Sequence, residues 1–120
     1  MTQSLEDYLE TIYIIASEGR PVQVRDVARL LNVKMPSVVK AIHELKKLEL
    51  VTQEPYSPIL LTAKGERLAK LVLSRHKLLR SFLVKLGVSR KTADKDACMM
   101  EHILSAETID KIPLKKAYMY

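Results

Sequence analysis

The sequence has one cysteine, Cys98, and no tryptophan in its 120 residues. A single thiol excludes an internal disulfide framework, which leaves Cys98 as either a small buried hydrophobe or a soft ligand. Long apolar runs are also missing, and no charged segment followed by an apolar stretch stands near Met1. That pattern argues against a membrane-spanning helix and a secretory signal, so a soluble cytoplasmic protein with no membrane partner is expected. There is no internal repeat and no low-complexity segment. The length suits one compact unit, or two small lobes sharing a helix.

What is present is charge, unevenly placed. The net formal charge is +6. Residues 1–19 carry four carboxylates and no Lys or Arg, whereas residues 20–47 carry seven basic residues against Asp26 and Glu44. Residues 64–91 hold nine basic residues against Glu66, and in residues 92–112 five carboxylates face Lys95 and Lys111. A basic middle between acidic flanks suits a surface that meets a polyanion, beside a place where carboxylates gather around a cation. An ordinary solvated surface would have a similar composition.

Hydrophobic periodicity orders the chain. Leu5, Tyr8, Leu9, Ile12 and Ala16 predict an amphipathic helix over Leu5–Ala16, with Ser4 placed to cap it. After Gly19-Arg20-Pro21, a short helix is expected over Val24–Leu31 through Val27, Ala28, Leu30 and Leu31. Residues 32–35 form a tight turn, and Pro36 suits the first position of a third helix running to about Glu49. Its apolar line is Val38, Ile42, Leu45 and Leu48, opposite Ser37, Lys40, Glu44 and Lys47. Strand candidates at 51–54 and 59–62 flank Pro55-Tyr56-Ser57-Pro58, a turn-rich quartet whose prolines restrict the hairpin to edge pairing. A long helix over 63–86 stops at Gly87. Ser89 can cap a fifth helix to about Ile103, and Ser105 a sixth ending before Pro113.

Two short helices across a tight turn, then a hairpin, is the order of a winged helix-turn-helix, whose second helix enters the major groove of DNA. Val38, Ile42 and Leu45 would hold that helix to the body. Pro36, Ser37 and Lys40 would then lie at its exposed N-terminal end, where backbone N–H groups favour phosphate. Arg25 and Lys34 are candidate phosphate contacts, Tyr56 sits at the wing tip, and Glu44 is expected beyond the groove. The competing reading is a three-helix core with a basic surface.

A second pattern carries metal-binding chemistry. Cys98, Glu101 and His102 stand at i, i+3 and i+4, which puts a thiol, a carboxylate and an imidazole on one helical face. Asp7 and Glu10 place two carboxylates on a face of the first helix, and His76 sits beside the apolar stripe of the long helix. Together they make a mixed N/O/S ligand set for a first-row divalent ion. Taken singly, Asp7 reads equally as a first-turn anion three residues after Ser4. His76 alone reads as a hydrogen-bonded core histidine, and Cys98 alone as a core residue.

Residues 4–13 (SLEDYLETIY), Leu61-Thr62-Ala63-Lys64-Gly65, Arg75-His76 and Cys98-Met99-Met100-Glu101-His102 resemble, in order and spacing, the diphtheria toxin repressor and manganese transport regulator family. The resemblance spans about residues 4–112. It implies a mainly α protein: a winged helix-turn-helix with a small β-hairpin wing over 1–63, and a helical metal-binding and dimerisation domain over 64–120, joined by the long helix. It implies a homodimer that binds double-stranded operator DNA when loaded with Fe²⁺ or Mn²⁺, with no catalysis and no small organic substrate. Asp7, Glu10, His76, Glu101 and His102 match the manganese-type ligands. Cys98 matches the iron-type branch, which has methionine where Asp7 stands. Arg80 and Asp94 occupy positions where the iron-type branch has ligands for a second ion. Because the sequence runs to Tyr120, the SH3-like domain of larger members is expected to be absent.

Two other classes fit parts of the pattern: a winged-helix regulator that uses no metal, and a small metallohydrolase. The first would make the carboxylates surface residues and Cys98 core. The second would need a general base and a substrate pocket, and it leaves the basic middle without a use.

Overall fold

The computed structural model describes residues 1–112, with the side chain of Gln3 left out. It comprises helices α1 (Gln3–Ser17), α2 (Val24–Leu31) and α3 (Met35–Lys47), strands β1 (Val51–Thr52) and β2 (Leu60–Leu61), then helices α4 (Ala63–Lys85), α5 (Arg90–Ile103) and α6 (Ala106–Lys111). Two compact units divide the chain at Lys70 and Leu71, inside α4. Residues 113–120 of the second domain expected above lie outside the described residues. No described helix is long and apolar enough to cross a membrane.

The first unit is built on α1, α2 and α3. Helix α1 begins two residues earlier than its periodicity suggests, because the extended Thr2, not Ser4, accepts the N–H of Leu5 on its Oγ1 at 3.2 Å. Leu9, Ile12 and Ile15 of α1 are fully buried, while Ala16, expected on the apolar line, is exposed. They pack with Val27 and Ala28 of α2 and with Val38, Ala41, Ile42 and Leu45 of α3. Each of these Leu, Ile and Val side chains contributes about 1.5–3 kcal/mol on burial. Leu30, one of the apolar residues that α2 carries, is 58% exposed.

The turn between α2 and α3 is three residues long. Asn32 adopts the left-handed conformation (φ 54°), and the N–H of Val33 returns to Ala28 O at 3.0 Å. Pro36 therefore falls in the first turn of α3, where its missing N–H costs nothing. Helix α3 stops at Lys47, and Glu49 reverses the chain at φ 60°. That reversal leaves Leu48 exposed and delivers Leu50 to the core in its place.

The hairpin is shorter than its sequence suggests. Only Val51 pairs with Leu61 and Thr52 with Leu60, because Pro55 and Pro58 cannot extend the ladder. Ile59 instead bridges to Val22, its N–H donating to Val22 O at 2.9 Å, which ties the hairpin to the segment before α2.

Leu61-Thr62-Ala63-Lys64-Gly65 locks the end of α3 to the start of α4. Thr62 donates its N–H to Leu50 O and its hydroxyl to Glu49 O, and its Oγ1 accepts from Gly65 N at 3.0 Å. Lys64 Nζ donates to Leu48 O, which suits the electronegative end of α3.

In the second unit, Gly87 (φ 101°) terminates α4, with the Val88 N–H donating to Leu83 O. Ser89 caps α5 and Ser105 caps α6 through their hydroxyl oxygens. Val72, Leu79, Ala93, Ala97 and Ile109 are buried. Met99 and Ile103, at i and i+4 on α5, remain 56% and 79% exposed.

Gly65 tests the lock between α3 and α4. A Cβ there would lie 1.9 Å from Leu50 O, a backbone atom with no freedom to yield. Gly65→Ala is expected to cost about 2 kcal/mol or more, in the overpacking range. Urea unfolding followed by circular dichroism reads this directly, and an unchanged midpoint would refute the contact.

Candidate metal centre and nucleic-acid interface

Helix α5 positions Cys98, Glu101 and His102 through its 3.6-residue repeat, and one ligand atom from each lies within 4.8 Å of the others. Glu101 is the most deeply set, with its side chain 1% exposed. Its Oε1 stands 3.4 Å from His102 Nε2, and its Oε2 stands 3.9 Å from Nδ1 of His76 on α4. The side chains of His102 and His76 are only 8% and 13% exposed. The second unit thus collects a carboxylate, two imidazoles and a thiol from α4 and α5.

His76 is held from its other side. Its Nε2 lies 2.8 Å from Asp94 Oδ1, and Arg80 reaches the same oxygen at 3.3 Å. The hydrogen bond from His76 is the largest cause holding the Asp94 carboxyl below its ordinary range; desolvation opposes it and Arg80 adds to it. The two residues at the iron-type second-ion positions are therefore paired with each other. His76 Nδ1, by contrast, is buried and makes no hydrogen bond.

The donor set fits a first-row divalent ion. Nitrogen, carboxylate oxygen and thiol sulfur are the ligands such ions take, and a buried imidazole nitrogen without a hydrogen bond suits coordination. His76 is hydrogen-bonded at Nε2, as its reading as a core histidine expects, and its Nδ1 is left over for an ion. Cys98 is only partly buried, which differs from a core cysteine.

Asp7 and Glu10 lie on α1 of the first unit, both partly buried. With α1 starting at Gln3, the acidic residue of its first turn is Glu6, so the first-turn role does not fall to Asp7.

The other nominated residues also lie in the first unit. Pro36, Ser37 and Lys40 are exposed on α3, Lys34 is exposed immediately before it, and Arg25 is exposed near the start of α2. Tyr56 is fully exposed in the turn of the hairpin at φ 61°. Ser37 and Lys40 also line a groove with Thr2, Ser4, Leu5 and Tyr8 of the α1 segment. Glu44 pairs with Lys47 at 3.7 Å, one turn along α3. Two residues escaped the sequence reading: Val39, 56% exposed, and His43, also exposed. They stand at i and i+4 beside Pro36 and Lys40, a spacing that could have found them.

Residues 1–59 match the family described as iron dependent repressor, N-terminal DNA binding domain. Residues 62–115 match the iron dependent repressor, metal binding and dimerisation domain. An HTH-type transcriptional regulator of Methanocaldococcus jannaschii is 43% identical over 116 residues, covering 95% of this chain and 93% of that one. The HTH-type transcriptional regulator MntR of Geobacillus kaustophilus is 40% identical over 111 residues, 92% of this chain and 79% of that one. Among solved structures, the manganese regulator SloR matches 93% of this chain with a TM-score of 0.83 at 27% identity. This chain spans about half of that longer one, 53%. The chain belongs to the iron-dependent repressor family, the metal-dependent, DNA-binding transcriptional regulators related to the diphtheria toxin repressor and the manganese transport regulator.

Proposed function

We propose that this chain is a cytoplasmic, homodimeric repressor of metal-homeostasis genes that binds operator DNA when Fe²⁺ or Mn²⁺ is held by Asp7, Glu10, His76, Cys98, Glu101 and His102. The observation that carries the reading is the convergence of Glu101, His102, Cys98 and His76 within the second unit. A divalent ion supplies positive charge among donors of which three are carboxylates and one a thiol. Glu101 and the two imidazoles orient the site from α4 and α5. Asp7 and Glu10 bring α1 to it.

The consequence for DNA follows from how α1 is packed. Leu9, Ile12 and Ile15 share one core with Val38, Ile42 and Leu45 of α3. Fixing Asp7 and Glu10 therefore fixes α3 as well. In a twofold dimer this sets the spacing of two groove-reading helices, which must match half-sites one or more helical turns apart. The loaded state is favoured by its better fit to the ion, which is a population shift. On α3, Ser37, Val39, Lys40 and His43 face the bases and phosphates. Arg25, Lys34 and the wing-tip Tyr56 contact the backbone. The exposed Met99 and Ile103 supply apolar surface for the dimer, whereas Ile109 is buried within the chain.

Duplex DNA selected from a random library by the Mn²⁺-loaded chain provides the test. Wild type is expected to bind it with Mn²⁺ and to lose binding in chelator. Glu101→Gln should abolish the metal dependence. Lys40→Ala should retain metal binding, weaken DNA binding and reduce the salt slope by about one unit. Equal binding with and without metal would refute the sensor reading, and normal binding by Lys40→Ala would misplace the groove-reading face.

Cys98 bears on the choice of ion. A thiolate is soft and favours later first-row ions, whereas three carboxylates are hard. Fe²⁺ is expected to activate at least as well as Mn²⁺, with Co²⁺ and Ni²⁺ active in vitro. Anaerobic DNA-binding titrations should show Cys98→Glu moving the preference toward Mn²⁺ and Cys98→Ala weakening every ion. An unchanged ranking and affinity in Cys98→Ala would remove Cys98 from the site.

A further inference from the structure

We infer that Asp94, anchored by Arg80, is a positioning residue that fixes the tautomer and ring orientation of His76 so that Nδ1 is the atom offered to the metal. The inference rests on the metal-site reading above. Asp94 stands one helical turn before Cys98 on α5, and Arg80 one turn after His76 on α4. Asp94 Oδ1 receives both partners, His76 Nε2 at 2.8 Å and Arg80 at 3.3 Å.

An ionised carboxylate has only acceptor capacity, so the short contact requires the hydrogen on Nε2. A neutral imidazole with hydrogen on Nε2 carries its lone pair on Nδ1. That is the nitrogen buried without a hydrogen bond, 3.9 Å from Glu101 Oε2. The separation is too long for a hydrogen bond. It is short enough for both atoms to bind one ion at about 2.0–2.2 Å each.

Arg80 makes the arrangement durable. The Asp94 side chain is 52% exposed and would otherwise be free to turn toward solvent. The guanidinium, 27% exposed, gives its Oδ1 a second partner on the same face of α4. It also supplies a fixed positive charge beside Asp94, which helps keep the carboxylate ionised and acceptor-only. Outer partners of this kind typically raise metal affinity 10–100-fold by orienting the ligand ring.

Two measurements decide it. Nitrogen-15 NMR of the metal-free chain at pH 8 should find His76 with hydrogen on Nε2, shifting to a tautomer mixture in Asp94→Ala. Co²⁺ affinity by calorimetry should fall at least about tenfold in Asp94→Ala. Asp94→Asn, whose amide oxygen still accepts, should recover most of both. Hydrogen on Nδ1 in the wild type overturns the inference without any variant, so a poorly folding Asp94→Ala would not shelter it. Full Co²⁺ affinity in Asp94→Ala, with affinity lost in His76→Ala, overturns the positioning role alone. Unchanged affinity in His76→Ala removes His76 from the site and overturns the underlying reading too. Equal losses in the Ala and Asn variants with an unaltered tautomer would make Asp94 merely structural and also overturn it.

Discussion

Burying a carboxylate is expensive unless positive charge or hydrogen bonds meet it, and Glu101 is buried to 1% exposure between two imidazoles. A surface glutamate would cost nothing and do nothing. Here α5 brings Cys98 and His102 to the same face, and α4 brings His76 from outside that helix. The same chemistry explains why the outer edge of the site is ionic. Asp94 and Arg80 form a partly exposed pair whose Coulomb energy is small in solvent. What the pair supplies is geometry, since it determines which face of His76 looks inward.

The first unit meets a different constraint, the backbone carbonyls left without a helical partner where the chain runs on past the end of α3. Helix α3 must end abruptly so that its exposed face and the hairpin stand side by side. The carbonyls of Leu48, Glu49 and Leu50 are taken by Lys64 and Thr62, and Gly65 leaves room for the approach. The exposed face of α3, proposed to read the groove, therefore depends on Thr62, Lys64 and Gly65 further along the chain. Helix α1 adds a second dependence: its buried side belongs to the core of α2 and α3, while Asp7 and Glu10 are the acidic residues proposed to respond to metal.

Much of this was legible in the sequence. The helical repeat located α1 to α4 and the capping Ser89 and Ser105 located α5 and α6, while the i, i+3, i+4 spacing of Cys98, Glu101 and His102 put those three side chains together on one face of α5. The misses have local causes. Thr2 and Ser4 offer the same capping hydroxyl, and periodicity cannot choose between them. Leu48 continues the apolar line of α3 on paper, but the left-handed Glu49 ends the helix and substitutes Leu50. The bridge from Ile59 to Val22 and the contact of Asp94 with His76 join residues far apart in sequence, so no spacing rule announces them. Arg80 and Asp94 were visible only as departures from a familiar ligand pattern; their side chains turn those departures into an ion pair.

The central claim, that the site built around Glu101 takes a divalent ion, is open to a measurement that involves no DNA. Anaerobic thermal unfolding of the chain, with free Mn²⁺ or Fe²⁺ at about a hundred times its Kd, should show the folded state stabilised by about 2.7 kcal/mol. That is a rise of several degrees in Tm, and it should vanish in Glu101→Gln. A Tm indifferent to both ions, or a shift of equal size in Glu101→Gln, would contradict it.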